Sequence, residues 1–238
     1  YLPTSARKNI HKPVDFADKA HDGQFRKSGE PFLIHPINVG IILAGLKMDG
    51  DTIVAGLLHD VVEDCEISLK EVKKLFGKNV SNLVNGVTKL LQLDEKLIDQ
   101  GQAEYFQKMA LATAEDVRVV IIKLADRLHN LKTIEHLPRD KQIKKSKETL
   151  ELYAPLAHQI GMHKMATDLE DISFKTLHPI RYELIKDALK KNDLSRKSMI
   201  SKVKKVLKTK FRENNIDVNI TGRENRIFSI YQKMKAKI

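Results

Sequence analysis

The sequence has few of the residues that build disulfide-linked, zinc-finger or membrane-embedded proteins. Its 238 residues include one cysteine, Cys65, and no tryptophan. A single cysteine excludes an internal disulfide and a multi-cysteine zinc site. No apolar run approaches the roughly 20 residues that span a bilayer, and the charged N-terminal stretch lacks the apolar segment of a secretory signal. We therefore expect a cytoplasmic protein with no membrane partner. Because the sequence begins with Tyr1, we also expect a trimmed piece of a longer chain.

The net charge of +11 is concentrated in the last quarter of the sequence. Residues 1–180 contain 25 basic and 25 acidic residues, whereas residues 181–238 contain 17 basic and 6 acidic residues. Such a shift indicates a second unit that meets an anion, with a solvated basic helix as the alternative. The basic segment lacks interleaved aromatic residues for base stacking, so we expect no nucleic-acid partner.

The pattern of apolar residues predicts a mainly helical chain. The Gly- and Pro-containing segment 22–31 is expected to be a loop, and the polar stretch 92–101 a second loop. An apolar helix is predicted over residues 53–64. Residues 117–124 are β-branched enough for a strand, but the helix formers that follow favour a buried helix. Residues 215–220 alternate in polarity and predict a strand.

Four ionisable residues lie close together in the sequence His59-Asp60-Val61-Val62-Glu63-Asp64. On a continuous helix, His59 would stack on Glu63 and Asp60 on Asp64, one turn apart. Carboxylates at this density beside an apolar face are costly unless a cation is present or water is plentiful. The pattern therefore indicates a metal site.

A second group of polar residues lies on one predicted helix face, with Asp126, Asn130 and Thr133 at i, i+4 and i+7. Asp126 could supply a further metal ligand, and Asn130 and Thr133 could reach a substrate beside it. Two imidazoles and two carboxylates from His35, the His59-Asp60 pair and Asp126 would form a mixed set of nitrogen and oxygen donors. That set suits Mn²⁺, Fe²⁺, Zn²⁺ or Co²⁺ better than Ca²⁺. His129 points about 60° away from the Asp126 face, so we expect it to pack or to support a ligand from behind rather than to ligate.

These residues reproduce a known order of motifs. His35, His59-Asp60 and Asp126 follow the H…HD…D order of the HD metal-dependent phosphohydrolases. The segments at residues 21–32, 57–64 and 122–130 resemble the Rel/SpoT enzymes of the stringent response. Residues 221–223 and 229–234 are similar to the opening of the synthetase domain of that family, so the resemblance covers nearly the whole chain.

The resemblance implies an all-helical HD hydrolase domain over residues 1–178. Residues 179–238 would be the truncated beginning of an α/β nucleotidyltransferase-like synthetase domain. The implied activity is hydrolysis of the 3′-pyrophosphate of guanosine tetra- or pentaphosphate, (p)ppGpp, to GDP or GTP plus pyrophosphate. The parent protein is expected to be bifunctional. Synthesis is not expected of this chain, since the family's catalytic carboxylates for pyrophosphate transfer lie beyond Ile238.

The resemblance also implies a role for each site residue. The family's Mn²⁺ would be held by His35, His59, Asp60 and Asp126. Glu63 and Asp64 match the acidic pair that orients or deprotonates the attacking water. The implied substrate-binding residues are Arg26, which would stack on guanine, and Lys27, Ser28, Asn130 and Thr133.

Two positions depart from the family pattern. Cys65 stands where relatives usually carry threonine, and packing is its expected role. Asn225 stands where relatives usually carry a lysine that helps to bind ATP phosphates, two residues after Arg223. Arg223 is therefore only a weak candidate for synthetase nucleotide binding. Regulatory partners would bind C-terminal regions that this sequence lacks.

Two alternatives stay open on the sequence. One is an HD-family phosphohydrolase that acts on another nucleotide, although the segment Arg26-Lys27-Ser28 argues against a generic HD enzyme. The other is a non-catalytic, nucleotide-sensing regulator that uses the basic tail. The intact Glu63-Asp64 pair and the four intact metal ligands argue against a hydrolase that has lost its activity.

Overall fold

The computed structural model describes residues 10–97, 115–191, 193–221 and 226–236. The α-helices over these residues are α1 (His11–Ala20), α2 (Ile34–Gly45), α3 (Gly50–Leu57), α4 (Val61–Asp64), α5 (Leu69–Phe76), α6 (Lys78–Leu97), α7 (Val117–Lys132), α8 (Arg139–Glu148), α9 (Ala154–Gln159), α10 (His163–Leu177), α11 (Pro179–Lys191), α12 (Asp193–Glu213) and α13 (Ile227–Lys235). A 3₁₀ turn at Ile134–His136 precedes α8, and a π-helical turn at Thr149–Tyr153 follows it.

The described residues confirm the mainly helical fold class. They contain one isolated antiparallel bridge, between Phe25 and Pro31, and no strand. The predicted strand over residues 215–220 is therefore wrong, because no described segment pairs with it and a lone strand cannot satisfy its backbone groups. Among the described helices, none combines the length and the apolar character needed to cross a bilayer.

The chain separates into two compact units, Tyr1–Leu169 and Glu170–Ile238. In the first unit, α2 packs on α3 and α7, and α6 packs on α3, α5 and α7. The core of this unit is aliphatic and includes Leu43, Leu58, Val84 and Ile122, all fully buried. The domain boundary after residue 178 and the start of a synthetase domain there stay predictions.

The second unit has a small aromatic cluster at its centre. Phe174, near the C-terminal end of α10, stacks on Tyr231 of α13 with ring centroids 4.6 Å apart. The backbone N–H of Phe228 donates to the Asp171 carboxylate at 3.0 Å, which satisfies one of the open donors in the first turn of α13. A cluster of rings and one capping carboxylate therefore hold α13 against α10.

The helix predicted over residues 53–64 is broken at the point where the chemistry lies. Helix α3 ends at Leu57 and the short α4 begins at Val61, with His59 and Asp60 in the turn between them. The Nδ1–H of His59 donates to the Gly56 carbonyl at 2.8 Å. In an unbroken helix that carbonyl would accept the Asp60 N–H. The side chain of His59 therefore replaces a backbone partner and ends the helix.

A close helix contact fixes the position of α7. A Cβ added at Gly86 of α6 would lie 2.7 Å from Cγ2 of Val119, a stiff β-branched side chain at the start of α7. We expect Gly86→Ala to lower the free energy of unfolding by about 1–3 kcal/mol, because overpacking of this size outweighs the better helix propensity of alanine.

The matched control is Gly45→Ala at the end of α2, where an added Cβ meets nothing within 4 Å. Urea unfolding of both variants measures the difference. Equal stability of the two variants would contradict the tight α6–α7 contact.

Candidate metal centre and active site

Three separate elements bring the candidate metal ligands together. His35 is the second residue of α2, His59 lies in the turn after α3, and Asp126 is in the middle of α7. All three are buried, with relative exposures of 3%, 0% and 5%. Because α2 packs on both α3 and α7, the contact between these helices places the three side chains in one cluster.

The donor atoms converge. The Nε2 atoms of His35 and His59 lie 3.3 Å apart, and Oδ1 of Asp126 lies 3.2 Å from Nε2 of His35. One donor atom from each of the three residues lies within 4.8 Å of the others. The carboxylate of Asp60 adjoins the cluster, with Oδ1 at 3.0 Å from Nε2 of His59 and Oδ2 at 3.5 Å from Nε2 of His35.

The hydrogen bonds on the far side of each imidazole set its tautomer. The Nδ1 of His59 must carry a proton, because its partner, the Gly56 carbonyl, can only accept. The Nδ1 of His129 accepts from the Arg26 guanidinium at 3.2 Å, since a guanidinium can only donate. The Nδ1 of His35, 2.8 Å from the Nδ1 of His129, must then be the donor in that pair. In the neutral form of both rings, the lone pair is therefore on Nε2, where metal ligation requires it.

His129 thus supports a candidate metal ligand, which is one of the two roles expected for it from the sequence. Burial, followed by the charges of His35 and Arg26, lowers the pKa of His129 to about 4. The ring is therefore neutral near pH 7 and can accept the His35 proton. It supports the ligand and is not itself one of the converging donors.

The electrostatics of the cluster favour a cation. Burial opposes ionisation of Asp126, but the Lys123 ammonium at 3.2 Å and the two imidazoles hold the pKa of Asp126 well below its usual range. Burial also opposes protonation of His59, yet the carboxylates of Asp60 and Asp126 raise its pKa to about 9. One buried and one partly buried carboxylate, which together draw a proton onto an imidazole, form a place where a divalent ion can bind instead of the proton.

Asn130 connects the metal cluster to the predicted substrate loop. Its Nδ2 donates to Oδ1 of Asp126 at 2.5 Å, and its Oδ1 accepts from the Arg26 guanidinium at 2.7 Å. Burial lowers the pKa of Arg26, against the pull of Asp126, Asp60 and Glu30. Arg26 is held in a tight loop, where its backbone N–H donates to the Glu30 carbonyl at 2.9 Å.

A cavity of about 600 Å³ opens above the cluster. Its walls contain seven of the residues predicted for the site: Arg26, His35, Asp60, Glu63, Asp64, Asp126 and Asn130. Glu63 and Asp64 are the last two residues of α4, and the backbone N–H groups of both donate to the Asp60 carbonyl, at 3.1 and 2.8 Å. Partial burial, and then the charge of Asp60, raises the pKa of Asp64.

The remaining substrate-binding candidates of this unit line a second cavity of about 300 Å³. Lys27, Ser28 and Thr133 line it, and Arg26 and Asn130 line both cavities. The Ser28 hydroxyl donates to Glu30 at 3.2 Å, which keeps the loop closed. The weak synthetase candidate Arg223, with Asn225, lies outside the described residues.

The cavity also has cationic residues that the sequence analysis did not single out. Lys123, Arg127, Lys141, Lys144 and Lys145 line the 600 Å³ cavity with the metal cluster. The signal was present in the spacing: Lys141, Lys144 and Lys145 are at i, i+3 and i+4, which places them on one face of a helix. The sequence alone could not show that this face turns toward Asp126.

The arrangement fits a divalent metal ion with an open coordination sphere. Two imidazole nitrogens and two carboxylates suit a first-row divalent ion, and four protein donors leave positions for water or substrate. The carboxylates of Glu63 and Asp64 and a cationic wall share the cavity with these donors. The site can therefore bind an anionic substrate beside a metal and place a carboxylate where it can take a proton from water.

Comparison with known proteins gives consistent matches over the whole chain. A family model described as an HD domain matches residues 14–163. The bifunctional (p)ppGpp synthase/hydrolase SpoT of Escherichia coli (strain K12) is 44% identical over 237 residues, covering 100% of this chain and 34% of that protein. The guanosine-3′,5′-bis(diphosphate) 3′-pyrophosphohydrolase of Vibrio cholerae serotype O1 is also 44% identical over 237 residues, with the same coverage.

A relative named for the opposite reaction matches equally well. The GTP pyrophosphokinase of Streptomyces coelicolor is 44% identical over 233 residues, covering 98% of this chain and 27% of that protein. The chain thus spans about a third or less of the length of these relatives. Their names alone do not decide between hydrolysis and synthesis, so the choice depends on the chemistry of the site.

Proposed function

This chain belongs to the HD-domain family, within it to the Rel/SpoT enzymes, and we propose that it hydrolyses the 3′-pyrophosphate of (p)ppGpp with Mn²⁺ as cofactor. One observation supports this most strongly. The Nε2 atoms of His35 and His59 meet the Asp126 carboxylate beside a 600 Å³ cavity, and the lining of that cavity also includes the carboxylates of Glu63 and Asp64 and several cationic side chains. A metal-dependent phosphohydrolase needs this combination, and relatives over the whole chain are named for this reaction.

We assign the metal to His35, His59, Asp60 and Asp126. When bound there, Mn²⁺ would lower the pKa of a coordinated water and offset phosphate charge. His129 and the Gly56 carbonyl hold the two imidazoles in the tautomer that ligation needs. Lys123 and Asn130 keep the Asp126 carboxylate ionised and oriented.

The remaining residues bind the nucleotide and move a proton. Arg26 stacks on the guanine, while Lys27, Ser28, Asn130 and Thr133 hold the nucleoside where the two cavities meet. Glu63 and Asp64 orient the attacking water and take its proton. The water oxygen adds to the phosphorus next to the ribose, and the bond from that phosphorus to the 3′ oxygen breaks. The 3′ oxygen then gains a proton, so that GDP or GTP and pyrophosphate leave.

The test is product analysis of the purified chain with ppGpp and Mn²⁺. We expect equimolar GDP and pyrophosphate, and a loss of at least about a hundredfold in rate with excess chelator, restored by added Mn²⁺. GTP and ATP without a 3′-pyrophosphate serve as control nucleotides and should be stable. Faster turnover of a control nucleotide than of ppGpp would favour an HD phosphohydrolase with another substrate. Absence of turnover despite bound Mn²⁺ would favour a nucleotide-sensing regulator.

Two further assignments stay predictions. The cytoplasmic location depends only on the composition of the sequence. The role of residues 179–238 as the beginning of a synthetase domain depends on the family resemblance.

A further inference from the structure

The large cavity has a cationic wall that the proposed metal chemistry does not use. Helix α8 contributes Lys141, Lys144 and Lys145 to the cavity that holds the metal cluster. The three residues are at i, i+3 and i+4, so their side chains share one face of the helix. The cavity therefore has a metal-binding cluster of two carboxylates and two imidazoles and, separately, a row of ammonium groups.

These lysines differ from Lys123 and Arg127 of the same cavity, each of which forms an ion pair with a carboxylate. Lys123 lies 3.2 Å from Asp126, and Arg127 lies 2.9 Å from Glu148 and 4.0 Å above the Tyr153 ring. Within the described part of the chain, no carboxylate oxygen lies within 4.0 Å of the ammonium of Lys141, Lys144 or Lys145. Burial, and then the charge of Arg127, lowers the pKa of Lys145, against the opposing effect of the Glu148 and Asp126 carboxylates. A row of cations in this setting is stabilised by an incoming anion.

The position of Lys145 shows which part of the substrate would meet the wall. Arg26, Asn130 and Lys145 line both the 600 Å³ cavity and the 300 Å³ cavity. A nucleoside held at this junction could send one phosphate chain toward the metal cluster and the other along α8. Lysine suits the second task, because its flexible stem and compact charge follow a mobile phosphate chain without a fixed geometry.

We propose that Lys141, Lys144 and Lys145 bind the 5′-diphosphate of the substrate while its 3′-pyrophosphate lies at the metal cluster. This inference rests on the proposed function, and it states which nucleotides the site would select. The site would select nucleotides that carry phosphate chains on both the 3′ and the 5′ side of the ribose, with each chain bound by a separate group of residues.

The experiment combines lysine variants with a truncated substrate. We would compare ppGpp with guanosine 3′-diphosphate, which has a free 5′-hydroxyl, in the wild type and in Lys144→Ala, Lys145→Ala and the double variant. We expect each single change to lower kcat/KM for ppGpp about tenfold, mainly through KM, because a contact to a charged group is lost. The rate on guanosine 3′-diphosphate should change less than about twofold.

Two controls separate charge at the wall from general effects. Lys147→Ala removes an exposed lysine of the same helix that does not line either cavity, and should leave both substrates unaffected. Lys144→Arg keeps the charge and should recover most of the ppGpp activity. Equal losses on the two substrates would overturn the proposal. It would also be overturned if the wild type used the truncated substrate as well as ppGpp.

Direct binding of GDP keeps this test independent of turnover. GDP carries the 5′-diphosphate alone, so Lys144→Ala and Lys145→Ala should each weaken its binding about tenfold, and leave guanosine binding unchanged. Unchanged GDP affinity would overturn the lysine assignment even if ppGpp hydrolysis is found. If the wild type does not hydrolyse ppGpp but binds GDP in a way that depends on these lysines, the proposed function would be rejected and the anion site would remain supported.

Discussion

Asp60→Ala is expected to lose at least about a hundredfold in Mn²⁺ affinity and to lose hydrolysis with it. The Asp60 carboxylate contacts the Nε2 atoms of both His59 and His35, at 3.0 and 3.5 Å. Its removal takes one of four donors and half of the negative charge from the cluster. Mutation of a residue that only hydrogen bonds to a metal ligand typically lowers metal affinity 10- to 100-fold. Removal of a ligand itself should lower the affinity at least as much.

The variant should still fold, which makes the metal measurement interpretable. The Asp60 side chain makes no capping bond to α4, although Asp60 is the N-cap residue of that helix. The aliphatic core of α2, α3 and α7 is untouched. Titration with Mn²⁺, followed by electron paramagnetic resonance or calorimetry, gives the affinity, and thermal unfolding checks the fold.

Asp51→Ala is the matched control for Asp60→Ala. Asp51 lies in the first turn of α3, at the other end of that helix, and lines neither cavity. We expect its Mn²⁺ affinity and turnover to equal those of the wild type. If Asp60→Ala kept Mn²⁺ affinity within about threefold, the ligand set would have to be redrawn around His35, His59 and Asp126 alone.

The helix that bears Asp126 shows what periodicity can predict. Residues 117–124 are apolar and β-branched, yet they form the start of α7, because the segment continues into helix formers and is buried among helices. The i, i+4 spacing of Asp126 and Asn130 correctly indicates a shared face, and their side chains are hydrogen bonded. In this case local spacing and tertiary packing favour the same conformation.

The turn at His59 shows where periodicity fails. Residues 53–64 fit one apolar helix, and the competing interaction is a single bond from an imidazole to the Gly56 carbonyl. The other nitrogen of the same ring faces His35 and Asp126, which are distant in sequence. The prediction that His59 and Glu63 stack on a continuous helix is wrong for the same reason. The loop predicted over residues 92–101 also fails in part, since α6 continues to Leu97.

Contacts that depend on two distant helices were not predictable from one sequence. The role of His129 depends on its distance from His35, across 94 residues of chain. The lysines of α8 gain significance only because their face lines the cavity of Asp126. A one-dimensional pattern gives the residues that share a face, and the tertiary fold decides what that face meets.

Glu63→Gln is expected to keep Mn²⁺ affinity and to lower kcat by about 10²- to 10⁴-fold, the usual contribution of a general base. Glu63 lines the cavity but is not among the converging metal donors. Its backbone N–H is bound to the Asp60 carbonyl at 3.1 Å, which fixes it beside the metal cluster. Glutamine keeps the size and the hydrogen-bonding reach of glutamate but cannot accept a proton from water.

The measurement pairs single-turnover rates on ppGpp with Mn²⁺ titration of the same protein. Glu71→Gln, an exposed carboxylate in the first turn of α5, is the control and should behave as the wild type. A simultaneous loss of Mn²⁺ and turnover in Glu63→Gln would make Glu63 a ligand instead of a base.

Retained Mn²⁺ with undiminished turnover in Glu63→Gln would pass the base role to Asp64. Asp64 is the alternative because its N–H is bound to the same Asp60 carbonyl at 2.8 Å and it lines the same cavity. Its pKa is raised by partial burial and by Asp60, which brings a carboxylate closer to the basicity that proton transfer near neutral pH requires. Asp64→Asn in the same assay therefore decides which of the two neighbouring carboxylates takes the proton. If each single variant loses most of the rate and the double variant loses no more, the two act as one unit on the same water.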